Sequence, residues 1–194
     1  MIIVTTENGL GQLRSPTQAC RICKPKKGYN PKWVHGQVMV IRTTDFAVPV
    51  QATEPTIQDI YAALVKDAAR NDLILADIRE AMRYGRCPLV LTERTEHLEY
   101  LAAELRRSVQ HVIVMRGGMG KKQRTVVNEQ MASVPAHGER VIVATGRYAG
   151  EGFDDPRLDT LFLAMPISWR GTLQQYAGRL HRTRVGKSEV RVYD

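Results

Sequence analysis

Several runs of this sequence place arginines, glycines and hydroxyls where they could hold phosphates. The strongest is Gln175-Tyr176-Ala177-Gly178-Arg179-Leu180-His181-Arg182. At helical spacing, Leu173, Tyr176, Ala177 and Leu180 share one apolar face, and Gln175, Arg179 and Arg182 project from the opposite side. Two guanidiniums a turn apart, joined by a glutamine, make a planar and permanently charged clamp for phosphate oxygens. By spacing alone, the simpler description is a solvated polar face of an amphipathic helix.

Three further runs follow apolar stretches. Thr145-Gly146-Arg147-Tyr148-Ala149-Gly150-Glu151-Gly152-Phe153-Asp154-Asp155-Pro156 carries glycines that let the backbone approach a ligand and carboxylates that could accept from ribose hydroxyls. Taken in isolation it equally fits a glycine-rich connection after a strand. Arg116-Gly117-Gly118-Met119-Gly120-Lys121-Lys122-Gln123-Arg124 lacks the G-x-x-x-x-G-K-[ST] spacing of a nucleotide cradle. Amides and basic side chains at a helix start still suit a nucleic-acid phosphate. Leu91-Thr92-Glu93-Arg94 offers a hydroxyl and a guanidinium at a strand end, with capping by Thr92 or Thr95 as the competing role.

The elements that must position these runs alternate. Ile57, Ile60, Tyr61, Leu64 and Val65 stripe one helix. Asn71 is a candidate N-cap for a second, carrying Leu75, Ile78 and Met82 and ending near Gly85. Leu98, Leu101, Ala102 and Leu105 stripe a third, and Val127, Met131 and Val134 suggest a fourth. Between them lie the apolar runs 88–92, 112–115, 141–144, 160–164 and 190–193. Continuous apolar strands separated by amphipathic helices predict an α/β domain. Its mainly parallel sheet would be covered on both faces, and ligands would collect at the carboxyl ends of the strands.

Residues 1–52 differ. Arg14, Arg21, Lys24, Lys26, Lys27, Lys32 and Arg42 face only Glu7 and Asp45, among prolines and glycines typical of a linker. Gly36 to Arg42 is the exception, with β-branched residues suited to a strand. Across 194 residues the formal charge is +8 and the pI near 9.6, a surplus that attracts polyanions such as nucleic acid. No run of apolar residues is long enough for a membrane helix. The opening Met1 to Glu7 has no basic region followed by an apolar one, so a cytoplasmic location is expected, nucleoid-associated in a bacterium. Cys20-Arg21-Ile22-Cys23 is half of a zinc motif with no second pair, and no metal is expected.

In this order and spacing the runs resemble the C-terminal motor domain of superfamily 2 helicases. Pro88 to Leu105 resembles motif IV and its helix, Arg116 to Arg124 the basic glycine loop that follows, and Val141 to Pro156 motif V. Gln175 to Arg182 has the Q-x-x-G-R-x-x-R form of motif VI. The likeness covers roughly residues 55–194. Leu161 to Gln175 leans toward the XPB-like and type III restriction-subunit-like branch. It implies a RecA-like three-layer α/β/α domain over 53–194, with 1–52 a basic linker, hairpin or shortened remnant of a first motor domain. Arg179 and Arg182 would then be arginine fingers, with Gln175 orienting them. Gly152 would approach the nucleotide phosphates and Asp154 the ribose. Thr92, Arg94, Arg116, Gly117 and Thr145 would hold the phosphates of one DNA strand.

A motor of this kind also needs a Walker A lysine and a D-E-x-[HD] pair for Mg2+, and neither occurs in the 194 residues. The resemblance therefore implies one wall of an ATPase site, inactive alone. ATP with Mg2+ would bind once a first RecA-like domain, in cis or in trans, completes it. The chain is expected to be either half of an ATP-dependent DNA helicase or a standalone nucleic-acid adaptor without catalysis.

Overall fold

A computed structural model of the chain describes residues 36–48, 55–145, 155–166, 176, 178–182 and 184–194, together with the backbone of 2–6 and 9–12. Among them are strands β1 (Ile2–Thr6), β2 (Gly9–Gln12) and β3 (Gly36–Val40), then helices α1 (Ile57–Lys66) and α2 (Ala68–Arg83). β4 (Pro88–Thr92), α3 (Thr95–Arg106), β5 (His111–Met115), α4 (Lys121–Ser133), β6 (Arg140–Thr145), β7 (Thr160–Leu163) and β8 (Glu189–Tyr193) follow. The strands form one sheet ordered β2-β1-β3-β8-β7-β4-β6-β5. Every pairing is parallel except the antiparallel β1–β2 edge.

The apolar runs become central strands because both of their faces are covered. β4 and β6 are buried at every position. Leu89 and Leu91 of β4, with Ile142 and Ala144 of β6, pack on one face against Val127 and Val134 from the α4 side. Val90, Val141 and Val143 point the other way, against Leu75 and Ile78 of α2 and Leu98, Leu101 and Leu105 of α3. The period-2 alternation of a strand thus feeds two cores, giving the three layers expected of the RecA-like fold.

The sheet extends past the boundary expected near residue 53. β3 pairs with β8 over Gly36–Val40, and β1 pairs with β3, so the first segment contributes strands to the same sheet. The β-branched content of Val38 to Ile41 is the local reason. Arg42, just beyond β3, bonds bidentately to the buried carboxylate of Asp77 on α2 at 2.7 and 2.8 Å, joining that strand to the helical layer. The basic stretch 13–35, including Cys20 and Cys23, lies outside the described residues.

Helix boundaries follow capping chemistry. Thr56 caps α1 in a reciprocal box with Asp59. Asp67 ends α1 and caps α2 by accepting from the Arg70 amide. Asn71, expected as the α2 cap, lies inside that helix instead, because Asp67 already takes the cap position. Gly85, at φ +71, turns the chain out of α2, a conformation that strains any side chain with a Cβ. Neither Thr92 nor Thr95 caps α3, whose N-cap is Arg94 without a side-chain bond.

Asn71 has a different task. Its Nδ2 donates to the carbonyl of Val65 at 2.8 Å, capping the last turn of α1, and its Oδ1 meets His97 Nε2 at 2.9 Å. His97 Nδ1 lies 3.0 Å from the Thr92 hydroxyl. This buried polar chain ties α1, α2 and α3 to the end of β4. Burial, helped by the nearby Arg70 charge, pushes the His97 pKa down to about 4. The unfolded chain therefore takes up a proton that the folded one refuses. The contribution of His97 to stability is complete above about pH 6.5 and is lost as pH falls toward 4, by up to about 3 kcal/mol. In urea titrations at several pH values, wild type is expected to lose more stability across that window than His97→Gln, which cannot titrate; parallel losses would refute the assignment.

Candidate nucleic-acid interface

Parallel pairing brings the carboxyl ends of β4, β5, β6 and β7 to one edge, where most of the residues expected to meet a nucleic-acid strand gather. Thr92 and Thr145 are register partners at the ends of β4 and β6. The amide of Gly117, in the loop after β5, donates to Thr145 Oγ1 at 2.9 Å. That bond uses the only donor of Gly117 and leaves the hydroxyl proton of the buried Thr145 uncommitted among the described residues. Thr92 is buried, and its oxygen lies between His97 and the amide of Arg94, the latter at 3.4 Å.

The guanidiniums stand further out. Arg94 bonds Gln58 on α1 and lies over the ring of Tyr61, 5.4 Å from its centroid. Tyr61 in turn donates to the carbonyl of Pro166 at 3.2 Å, so α1 leans on the loop after β7. Arg116 pairs with Glu99 of α3 at 3.3 Å, with both side chains close to half exposed. Exposed contacts of this kind hold an arginine in place at little cost to exchange, and a phosphate can displace them. Beyond Arg116, Gly118 at φ +80 turns the chain. Gln123 accepts from the Gly120 amide at 3.2 Å, and Lys121 and Lys122 open α4 exposed. The donors and positive charges of this edge thus face the same side as the positive end of α4.

A second group lies on the α4 face. Tyr176 and Leu180 are buried in the core beside Leu158 and Leu161, as expected of the apolar stripe of that helix. Burial pushes the Tyr176 pKa up to about 12, with Arg179 on its own helix opposing and Glu93 after β4 reinforcing the shift. Arg179 is half-buried and Arg182 is exposed just past the helical residues, so the polar side of the stripe does face outward. Gln175, Gly152 and Asp154 lie outside the described residues.

Two anchors of this wall were not foreseen. Lys187 Nζ donates to the carbonyls of Pro156, Leu158 and Arg182, the first at 3.4 Å and the last at 3.0 Å. Three acceptors match its three donors, fastening the backbone at Arg182 to that of Pro156 and Leu158. Burial lowers its pKa to about 8, with Asp159 and Cys87 opposing and Arg184 and Arg86 reinforcing. Asp155 forms a buried pair with Arg140 at the start of β6 and accepts from the Arg157 amide at 3.1 Å. A lysine in a short glycine turn and one carboxylate of an adjacent pair carry no signature that would separate them from surface charges. The nearby His181 is buried, and desolvation, aided by Lys187, lowers its pKa to about 4, so it is neutral at physiological pH.

Among the described residues no three His, Cys, Asp or Glu side chains gather as a metal site requires, and no helix is long and apolar enough to cross a membrane.

Comparison with known proteins agrees with this geometry. The chain is 29% identical over 131 residues to the transcript termination protein A18 of Fowlpox virus (strain NVSL), which covers 66% of this chain and 27% of the relative. The chain thus spans about a quarter of that protein's length. Bacteriophage T4 UvsW superposes with a TM-score of 0.55 at 18% identity over 72% of this chain and 28% of its own. The C-terminal part of the Fun30 ATPase domain does so with a TM-score of 0.54 at 14% identity, over 66% of this chain and 41% of its own. The two solved structures show the fold, a RecA-like α/β domain. The model of the helicase conserved C-terminal domain matches residues 70–184, from the start of α2 to beyond the motif VI helix, and the chain belongs to that family.

Proposed function

We propose that the chain is the second motor half of an ATP-dependent DNA helicase or translocase acting in the cytoplasm, in repair or restriction. The observation that carries this reading is the convergence of Thr145, Gly117, Arg94 and Arg116 at one sheet edge of a helicase C-terminal domain. The Thr145 hydroxyl and the Arg94 and Arg116 guanidiniums can each donate to a phosphodiester backbone, with the Gly117 amide holding Thr145 in place, so the edge would grip a strand through its phosphates. The net charge of +8 supports a polyanionic partner, and the likeness to a transcript termination protein supports a nucleic-acid motor.

ATP, with Mg2+, would lie between this wall and a first RecA-like domain, which supplies the phosphate cradle and the metal carboxylates. On this side Arg179 and Arg182 would stabilise charge developing on the γ-phosphate, and Gln175 would orient them. Gly152 would let the backbone approach the phosphates, and Asp154 would accept from the ribose. Lys187 keeps the backbone of Arg182 at a fixed place relative to the segment after Asp154, so finger and nucleotide loop would move as one body. Closing and opening of the cleft would then advance the strand held at the sheet edge. The second reading is a nucleic-acid adaptor without catalysis, in which the same edge binds a strand and no nucleotide is turned over.

Supplying a Walker A/B domain of a related helicase in trans is expected to produce DNA-stimulated ATP hydrolysis, and Arg179→Ala or Arg182→Ala should lower it by about a hundredfold or more. Unchanged rates in both variants would remove the finger assignment, and no stimulation by any such domain would favour the adaptor. For the chain alone, binding to a single-stranded oligonucleotide should weaken steeply with salt. Arg116→Ala should reduce the slope of log K against log salt by about 0.7, and an unaltered slope would take Arg116 out of the interface.

A further inference from the structure

The polar chain from Val65 through Asn71 and His97 to Thr92 has a direction that its end groups determine. The Val65 carbonyl can only accept, so Asn71 Nδ2 donates to it and Asn71 Oδ1 faces His97. That oxygen also only accepts, so His97 Nε2 carries the imidazole hydrogen. The buried ring is neutral, which leaves Nδ1 bare, and Nδ1 must receive the hydroxyl proton of Thr92. What Thr92 then presents is lone pairs, directed toward the Arg94 amide. Reversing the polarity would require the Asn71 amide to flip, setting its oxygen against the Val65 carbonyl. Two buried acceptors would face each other without a hydrogen, an arrangement that costs far more than one weakened bond. Phosphate oxygens are acceptors as well, so the Thr92 hydroxyl has nothing to offer them. At the partner position on β6 the polarity is opposite: Thr145 accepts from the Gly117 amide and keeps its own proton to give.

We propose that Asn71 and His97 are positioning residues of the strand-binding edge. They hold Thr92 as an inward brace for the 92–94 corner, so that a backbone phosphate is met there by the Thr145 hydroxyl and the Arg94 guanidinium in place of the Thr92 hydroxyl. This rests on the reading that the edge grips a nucleic-acid backbone. It revises how the β4 end takes part: its hydroxyl orders the backbone that carries Arg94.

The test is the tautomer of His97, read from the imidazole 15N shifts of the wild-type chain, free and with a saturating thymidine oligonucleotide at low salt. Hydrogen on Nε2 in both states is expected. Hydrogen on Nδ1 in either state would overturn the proposal, because Thr92 would then be free to donate. Asn71→Leu removes the acceptor that fixes Nε2–H, and the Nδ1–H tautomer should appear; a purely structural asparagine would leave the tautomer where it was. In binding titrations Thr145→Val should cost about tenfold in oligonucleotide affinity, and an unchanged affinity would overturn the idea. If the variants fail to fold, the wild-type tautomer with and without oligonucleotide still decides. A wild-type chain that binds no oligonucleotide at low salt, yet shows Nε2–H, would sink the nucleic-acid reading and with it the role at that edge, while leaving the hydrogen-bond polarity standing.

Discussion

The whole arrangement depends on β4 being buried on both faces and at both edges. It lies between β6 and β7, parallel to each, with Leu89 and Leu91 in one core and Val90 in the other. After β4 the chain leaves toward the α3 face. Leu158, Tyr176 and Leu180, which come later in the chain than β6, pack on the opposite face. The carboxyl end of β4 is therefore where packing elements part to opposite faces, the kind of place where open α/β sheets take their ligands. Because the pairing is parallel, Thr92, Thr145 and the Arg116–Gly117 corner are delivered to that place by backbone register. No side chain has to be strained to reach it.

Burial that supplies this register also forces an accounting of every polar group left inside. A hydroxyl, an imidazole and an amide are buried together at the end of β4, and each must find a partner. They do so in series, ending on a carbonyl that α1 cannot satisfy itself. The same demand explains why the two threonines that face each other across the register differ. One gives its proton to a ring nitrogen, and the other receives a loop amide and so keeps its own proton. Identical residue types at paired strand ends thus acquire opposite hydrogen-bonding sense from their second neighbours.

Much of this was legible in the sequence, for reasons that differ by element. The runs at 88–92 and 141–144 could be read as buried strands because burial on two faces demands nearly unbroken apolar residues over a length too short for a helix. The stripe of Tyr176 and Leu180 could be read because helical spacing repeats within a few residues. Asn71 was legible as a helix-terminal residue but not in its role. Whether an asparagine caps its own helix or the previous one depends on whether a better cap, here Asp67, stands four residues earlier. His97 carried no signal, since its partners at 71 and 92 are joined only once α2 and α3 pack side by side. Lys187 was hidden for a similar reason: its acceptors are backbone carbonyls, which leave no trace in residue types.

The two halves of the candidate interface are also held by different physics, and that difference bears on how they would work. Arg94 rests on the exposed Gln58 and the half-buried ring of Tyr61, and Arg116 on the exposed Glu99, contacts that a phosphate can displace. Such contacts suit a surface that must grip and release a strand repeatedly. The wall bearing Arg182 is fixed instead by Lys187 to three carbonyls and by the buried Arg140–Asp155 pair. Breaking the Arg140–Asp155 pair would leave a buried charge without a partner, a cost of several kcal/mol. A motor built as proposed would need this division. The element that senses the nucleotide would keep its geometry while the element that holds the track exchanges its partners. Lys187 with its three acceptors suits the first, as the Tyr61 ring under Arg94 suits the second.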